Sequence, residues 1–545
     1  MTESDPAMRP PRPNIVLILA DDMGFSDIAS YGGEASTPAL DRLAEGGVRM
    51  TQFYNTARCS PSRASLMTGL HPHQVGIGIL NFDDAPDGYP GNLAQECATV
   101  AEVLKASGYA TCLSGKWHLA VDMETPNDAW PTRRGFDHFF GTLEGAGSFY
   151  QPRTLVRGEE NVEEEALAEG WYYTDAITDD AVGFVRQHGE TRPTDPFFLF
   201  LSYTAPHWPL HAHDEDIAKY RNRFDAGWDE LRAQRLQRLV ASGIISPDWP
   251  LSDRDARVSA WDDAQDKQWE ASRMEVYAAQ IDRMDQGIAR VLQELEDSQR
   301  LEDTLVIFLS DNGGCAEEMS PESVKDFVTS FVPLKEVSRR GEPVVPGNLP
   351  GLTPGPEETY QSYGRAWANL SNTPFREYKH WVHEGGISTP LIAHWPRGLG
   401  QPGFMCTTPS QLVDVLPTLV EVAGADYPRY RAGHPLPPAE GRSLLPALRG
   451  ESDPTRDLFW EHEGNCAVRR GRWKLVRKHG RKWELYDIEA DRTELRDVAG
   501  ADEAMEILVA ELAEVYGAWA DRCGVIPRED VLRLYAERGR GLPEE

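Results

Sequence analysis

Long apolar runs, paired cysteines and surplus basic charge are all scarce in this chain of 545 residues. The apolar run from Ile15 to Ala20 is far too short to cross a bilayer, which takes about 20 apolar residues. The stretch ahead of it, 1–13, is polar and proline-rich, without the apolar core that follows a basic start in a secretory signal. Together these predict a cytoplasmic protein that does not engage a membrane. Cys59, Cys97, Cys112, Cys315, Cys406, Cys466 and Cys523 are scattered, with no C-x-x-C pair and no zinc-type spacing. Reduced thiols in a large core are therefore expected rather than a disulfide framework. Lysine and arginine number 55 against 87 aspartates and glutamates, for a formal charge of -32. With no basic surplus to neutralise phosphates, nucleic acid is excluded as a partner. The same charge repels an anionic substrate at long range, but screening confines that to about 8 Å at physiological salt. A locally basic pocket can still win.

What is present suits a packed globular chain: 40% hydrophobic residues, with 15 Trp, 18 Tyr and 18 Phe. The length exceeds one typical core, so two domains are expected. Apolar β-type runs recur at 14–20, 109–114, 197–203, 305–310 and 389–394, with helix-period segments at 37–45, 98–107, 178–188 and 271–296. Short continuous apolar strands alternating with helices predict an α/β fold. The expectation is a large, doubly wound, mostly parallel sheet with helices on both faces over 1–435. From about 436 the character changes to short, alternating, basic-flanked runs followed by a helix at 503–522. A smaller C-terminal α+β domain with an antiparallel sheet is expected over 436–545. The segment 214–268, rich in Arg, Asp, Glu and Trp, reads as a helical surface insertion. The segment 320–371, dense in Pro, Gly and Glu, reads as a lid or a disordered loop.

The chemically loaded clusters fall just after those strands: Asp21-Asp22, Lys116-Trp117-His118, His207 and Asp311-Asn312. Ligands of open α/β sheets bind beyond the carboxyl ends of the strands, so these residues are expected to converge. An Asp-Asp pair alone is most often a solvated turn. Placed after a buried strand, and matched by Asp311-Asn312, it reads as half of a metal site. Three carboxylates and one amide offer oxygen only, which favours Ca²⁺ or Mg²⁺ over zinc or copper. Ca²⁺ is the better match because it tolerates irregular carboxylate coordination. Lys116 and His118 alternate around Trp117 and would face one way on extended backbone. His207 sits between two prolines in Ala205-Pro206-His207-Trp208-Pro209, and Lys379 precedes the Gly385-Gly386 turn.

A further signal lies in Cys59-Ser60-Pro61-Ser62-Arg63, continuing Ala64-Ser65-Leu66-Met67-Thr68-Gly69. Ser60 is a good N-cap and Pro61 suits a first turn, which places Cys59 just before a helix N-terminus that favours an anion. If Cys59 stayed a thiol, that setting would lower its pKa and make it reactive.

This run resembles the sulfatase signature C-x-P-x-R-x-x-L-x-T-G at every fixed position. Arg12-Pro13-Asn14 leading into Asp-Asp, Gly24 to Asp27, Thr37 to Asp41, Gly115 to His118, Ala205 to Pro209, Ser310 to Gly313, Tyr378 to Gly386 and Leu485 to Asp491 are also similar, in order, to that family. The resemblance is closest to bacterial arylsulfatases of the alkaline phosphatase superfamily, and it is weakest over 317–356. It implies that Cys59 is oxidised by a formylglycine-generating enzyme to formylglycine. The gem-diol of that residue would attack sulfur and form a covalent sulfo-enzyme. It implies one Ca²⁺ per chain, held by Asp21, Asp22, Asp311 and Asn312 with residue 59. Arg63 would hold the aldehyde hydrate, Lys116 and Lys379 would bind sulfate oxygens, and His118 and His207 would move protons. The substrate implied is a small sulfate ester of the aryl type. The alternative is a formylglycine-dependent phosphonate monoester or phosphodiester hydrolase. Asn312 stands where two-zinc phosphatases of the superfamily commonly place a histidine. A sulfated-glycan binder without turnover would gain nothing from the two histidines.

Overall fold

A computed structural model of the protein describes residues 12–320, 335–451 and 454–539. Residues 1–11 of the polar start read over 1–13, and 321–334 of the loop expected over 320–371, lie outside the described residues. The central feature is an eleven-stranded mixed sheet. Its order runs Phe404–Cys406, Val48–Tyr54, Ser388–His394, Thr304–Ser310, Asn14–Ala20, Phe197–Ser202, Ala110–Gly115, His138–Thr142, Leu155–Arg157 and Glu160–Asn161, with Ser410–Gln411 beside Val48–Tyr54. From Thr304–Ser310 to His138–Thr142 all neighbours are parallel. Ser388–His394 runs antiparallel to both of its neighbours.

Asn14–Ala20 shows why the sheet is wound on both sides. Successive side chains of a strand point to opposite faces. Val16, Ile18 and Ala20 enter one core with residues of the helices Pro38–Gly46, Tyr173–Thr191 and Lys267–Asp297. Ile15, Leu17 and Leu19 enter a second core with residues of Cys59–Thr68, Val100–Ala106 and Val415–Ala423. A strand buried on both faces must be apolar throughout, which is the run read from the sequence.

After the large sheet comes a four-stranded antiparallel sheet, Asp457–His462, Asn465–Arg470, Trp473–Arg477 and Glu484–Asp487. One of its faces packs Val468, Leu475 and Leu485 against Leu512 of the helix Glu503–Cys523. The other packs Leu458, Trp460, Ala467 and Val476 against Tyr54, Ala57, Val382 and Ile387 of the large unit.

Two expectations are corrected, and a strand went unread. The segment 214–268 is not a surface insertion: Phe224, Trp228, Leu231 and Leu239 join the core. Its buried Arg235 pairs with Asp27 at 2.8 Å and Glu34 at 2.6 Å. The described part of 320–371 carries two short strands, Val345–Pro346 and Thr359–Tyr360, and the helix Gly364–Ser371, whose Trp367, Ala368 and Leu370 are buried. Val48–Tyr54 escaped the sequence reading because Arg49 and Gln52 interrupt its apolar pattern. All seven cysteines are buried and free. Among the described residues, no helix is long and apolar enough to cross a membrane.

Candidate active site

The parallel strands end together, and backbone hydrogen bonds bind the loops that leave them. Asp21 N donates to Ala205 O at 3.1 Å, Asp311 N to Ala20 O at 3.1 Å and Lys116 N to Ser202 O at 2.8 Å. Four separate loops therefore open onto one place, as the carboxyl ends of an open α/β sheet do. Asp21, Asp22, Asp311 and Asn312 are all buried there.

Their mutual geometry is that of an oxygen cluster held from behind. Asp22 N donates to Asp311 Oδ1 at 3.1 Å, and Asn312 Nδ2 donates to Asp22 Oδ1 at 2.7 Å. The amide orientation leaves Asn312 Oδ1 without a hydrogen-bond partner, and Asp21 Oδ1 has none either, although both are buried. Buried oxygens are rarely left so, and two together fit a cation. Burial, with Asp21 beside it, pushes the Asp311 carboxyl upward. Burial works on Asp21 too, but Lys116, His207 and Arg63 outweigh it and hold that carboxyl below its usual range. Three carboxylates this close resist joint ionisation without compensating positive charge. The donor set is all oxygen and suits a hard cation.

Positive side chains surround the cluster. Lys116 Nζ is on Asp21 Oδ2, and Lys379 Nζ lies 2.8 Å from Asp22 Oδ2. Burial would lower the Lys379 pKa, but Asp22, Cys59, Cys315 and Glu317 together outweigh it and the ammonium is held well above its ordinary value. Arg63 Nε and Nη2 reach Asp311 Oδ2 at 3.2 and 3.1 Å, while Nη1 donates to Lys116 O at 3.0 Å and Ser202 Oγ at 2.7 Å. Its guanidinium thus ties the chain at Lys116, Ser202 and Asp311 together.

Cys59 is the first residue of the helix Cys59–Thr68, with Arg58 as N-cap. This corrects the sequence reading: Ser60 caps nothing, and its hydroxyl donates instead to His118 O at 2.7 Å. The thiol is also not activated. Burial raises its pKa, opposed by Lys379 and Lys116, with Asp21 and Asp311 adding to the rise. A plain thiolate nucleophile is disfavoured here.

His118 does not continue an extended strand, since its φ of 61° is left-handed. Lys116 and His118 thus meet the site by a turn rather than by strand alternation. Burial, then Lys116 and Arg63, holds the His118 pKa well below its ordinary value. A neutral imidazole can accept a proton. Gly145 presses on this ring, where an added Cβ would fall 2.3 Å from Nε2. His207 Nδ1 lies 2.6 Å from Trp208 O, and its Nε2 is 3.2 Å from Asp22 Oδ2 and 3.5 Å from Lys379 Nζ. Burial lowers the His207 pKa against the pull of Asp22 and Asp21.

All ten residues singled out from the sequence therefore lie at this one place or in contact with it. Sequence reasoning missed Ser202, Gly145 and Glu317. Glu317 pairs with Arg58 at 2.9 Å and accepts Trp208 Nε1 at 2.9 Å, bracing both Cys59 and His207 from outside. It falls in the stretch with the fewest recognisable motifs, and nothing local marked it.

The family model described as sulfatase matches residues 13–425. A second, described as N-sulphoglucosamine sulphohydrolase, C-terminal, matches 376–516. An arylsulfatase of Klebsiella aerogenes is 35% identical, over 79% of this chain and 91% of its own. An uncharacterised sulfatase of Schizosaccharomyces pombe is 32% identical over 95% of each chain. The solved structure of Ps i-CgsB in complex with k-i-k-neocarrahexaose superposes with a TM-score of 0.66 at 24% identity, covering 97% of this chain and 98% of that one.

Proposed function

The chain belongs to the sulfatase family and is a sulfuric ester hydrolase, and from that premise we propose that it cleaves aryl sulfate esters with a formylglycine made from Cys59. One observation carries the reading. Cys59 opens a helix at a buried cluster where Arg63, Lys116, Lys379, His118 and His207 surround two unpartnered oxygens, Asp21 Oδ1 and Asn312 Oδ1. A raised thiol pKa argues against Cys59 acting as it is encoded.

Asp21, Asp22, Asp311 and Asn312 would hold one Ca²⁺, which would stabilise negative charge on sulfate oxygens. The aldehyde hydrate at position 59 would supply the attacking oxygen, once a formylglycine-generating enzyme has acted. The chain's own residues do the rest. Lys116 and Lys379, now resting on carboxylates, neutralise the remaining sulfate charge. His207 passes a proton to the departing oxygen with the Lys379 ammonium, 3.5 Å from its Nε2, as the source, since burial lowers the imidazole's own pKa. His118, kept neutral by its surroundings, takes a proton from the residue-59 side. Arg63 fixes Asp311 and the Lys116 loop in register.

The test is the mass of the peptide containing residue 59 together with turnover. Oxidation of the thiol to an aldehyde lowers the mass by about 18 Da. Aryl sulfate turnover should exceed that of the matching aryl phosphonate monoester and should vanish in Cys59→Ala. An unshifted mass in turning-over protein would reject the nucleophile. A preference for the phosphonate would reject the substrate class.

A further inference from the structure

A second cluster lies at the seam between the two sheets. His462 ends the strand Asp457–His462, Glu463 begins the turn after it, and His380 follows Lys379. One ligand-type atom from each of His380, His462 and Glu463 lies within 4.8 Å of the other two. The His380 and His462 ring centroids are 5.1 Å apart, nearly perpendicular. His462 is 1% exposed, yet neither of its ring nitrogens has a hydrogen-bond partner. The carboxylate of Glu463 is held from one side only. The Tyr535 hydroxyl donates to Oε1 at 2.9 Å, while Oε2 accepts no hydrogen bond. A buried imidazole with two idle nitrogens, facing an oriented carboxylate oxygen, is an arrangement native proteins seldom leave without a use.

We propose that His380, His462 and Glu463 form a second metal site, for a transition-metal dication of the zinc class, distinct from the all-oxygen cluster of Asp21, Asp22, Asp311 and Asn312. Two imidazole nitrogens and one carboxylate oxygen are a borderline-soft donor set of the zinc type, whereas a hard cation prefers oxygen alone. Bringing the three atoms onto one ion at about 2.0–2.2 Å needs shifts of about an ångström. Burial, followed by Arg58, holds His380 down to about 3, and burial with His380 beside it holds His462 well below its ordinary value. Both rings are thus neutral and need shed no proton to bind a metal.

Two cations oppose the site. Arg58 faces it but is engaged by Glu317 at 2.9 Å, and Arg528 Nη1 lies 3.9 Å from Glu463 Oε2. Asn465 Nδ2 stands 3.4 Å from His380 Nε2, and Glu461 is occupied by His73 at 2.7 Å. The position also has a consequence for the first site. His380 adjoins Lys379, and His380 N donates to Ala57 O at 2.7 Å, two residues ahead of Cys59. A metal here would clamp the loops that carry Cys59 and Lys379 to the C-terminal sheet.

The test reads binding and does not depend on turnover. Tag-free full-length protein saturated with Ca²⁺ is titrated with Co²⁺, and the visible ligand-field absorption is recorded. One equivalent should give a band typical of low-coordinate nitrogen and oxygen ligation. Glu463→Gln, which keeps an acceptor for Tyr535, and His462→Gln should each weaken Co²⁺ binding by about 10-fold or more, while Asp21→Asn leaves it unchanged. Melting curves check that the variants fold. If His462→Gln does not, Glu463→Gln decides alone. No band, equal affinity in the folded variants, or loss in Asp21→Asn would overturn the proposal.

Discussion

The buried charge at the seam between the sheets and the buried charge at the strand ends are finished differently. Where the C-terminal sheet meets the large unit, Lys474 lies 2.9 Å from Glu384 Oε1 and 2.8 Å from Glu494 Oε1. Arg492 Nε reaches Glu384 Oε2 at 2.8 Å, the Tyr54 hydroxyl donates to the same oxygen at 3.0 Å, and Glu384 N donates to Glu494 Oε2 at 2.9 Å. Each oxygen of those two carboxylates has a hydrogen bond or an ion pair from within the chain, Glu494 Oε1 meeting Lys474 as an ion pair alone. At the strand ends, three carboxylates and an amide retain two buried oxygens with none. The first cluster is complete and holds the seam. The second has its carboxylates paired with Lys116, Lys379 and Arg63 but leaves two oxygens unmet where a cation would sit. Burial alone does not distinguish structural charge from functional charge; what sets the strand-end cluster apart is two neighbouring oxygens with neither a hydrogen bond nor an ion pair.

The largest effect that would sharpen this contrast is at Asp311. Asp311→Ala should lose Ca²⁺ and reduce turnover by ~10²–10³-fold or more, because charge stabilisation of the sulfate goes with it. The melting point should fall little beside the loss seen for a seam variant. Metal analysis and kinetics read both. A variant that keeps its calcium would break the contrast.

Next comes His207→Ala. If His207 protonates the departing oxygen, alkyl sulfates should lose ~10²–10⁴-fold and nitrophenyl sulfates much less, since nitrophenolate leaves with little help. Equal losses on both would move the acid role to Lys379.

On the structural side, Glu384→Ala removes one partner from a buried network and should cost about 3–5 kcal/mol in denaturant unfolding. The pH dependence has a defined sign. Burial raises the Glu384 pKa, but Lys474, Arg492 and Arg469 outweigh it and hold the carboxyl down to about 2. Its contribution to stability is therefore full above the ordinary glutamate value of about 4.3 and is lost as the pH falls through about 2. Wild type should lose that increment over this window, and Glu384→Ala should not.

The smallest predicted change is a methyl group. Gly145→Ala would place Cβ against the His118 ring and displace it. A misplacement of that size can cost up to ~10²-fold. It should appear in kcat, with unfolding nearly unchanged. Unaltered kcat would show that the ring has room to move.

The sequence revealed the catalytic half of this comparison far better than the seam. Asn14–Ala20 and Thr304–Ser310 are continuous apolar runs because both of their faces are buried, and Asp21 and Asp311 follow them directly. Motif order supplied Arg63, Lys116, His118, His207 and Lys379. Glu384, Lys474, Arg492 and Glu494 gave no such signal. They are charged residues scattered over 111 positions of the chain, and only the docking of one sheet on another pairs them. Glu317 and Gly145 were hidden for the same reason. The N-cap was misassigned because Ser60 suits that place by type, whereas its hydroxyl is taken by His118 O.

The central claim is that the strand-end cluster is built for a cation the chain does not itself provide. A calorimetric titration of chelator-treated full-length protein with Ca²⁺ tests it most directly. The account predicts one ion per chain, with binding abolished in Asp311→Ala. No calcium binding, or stoichiometric zinc held by these carboxylates in its place, would contradict it.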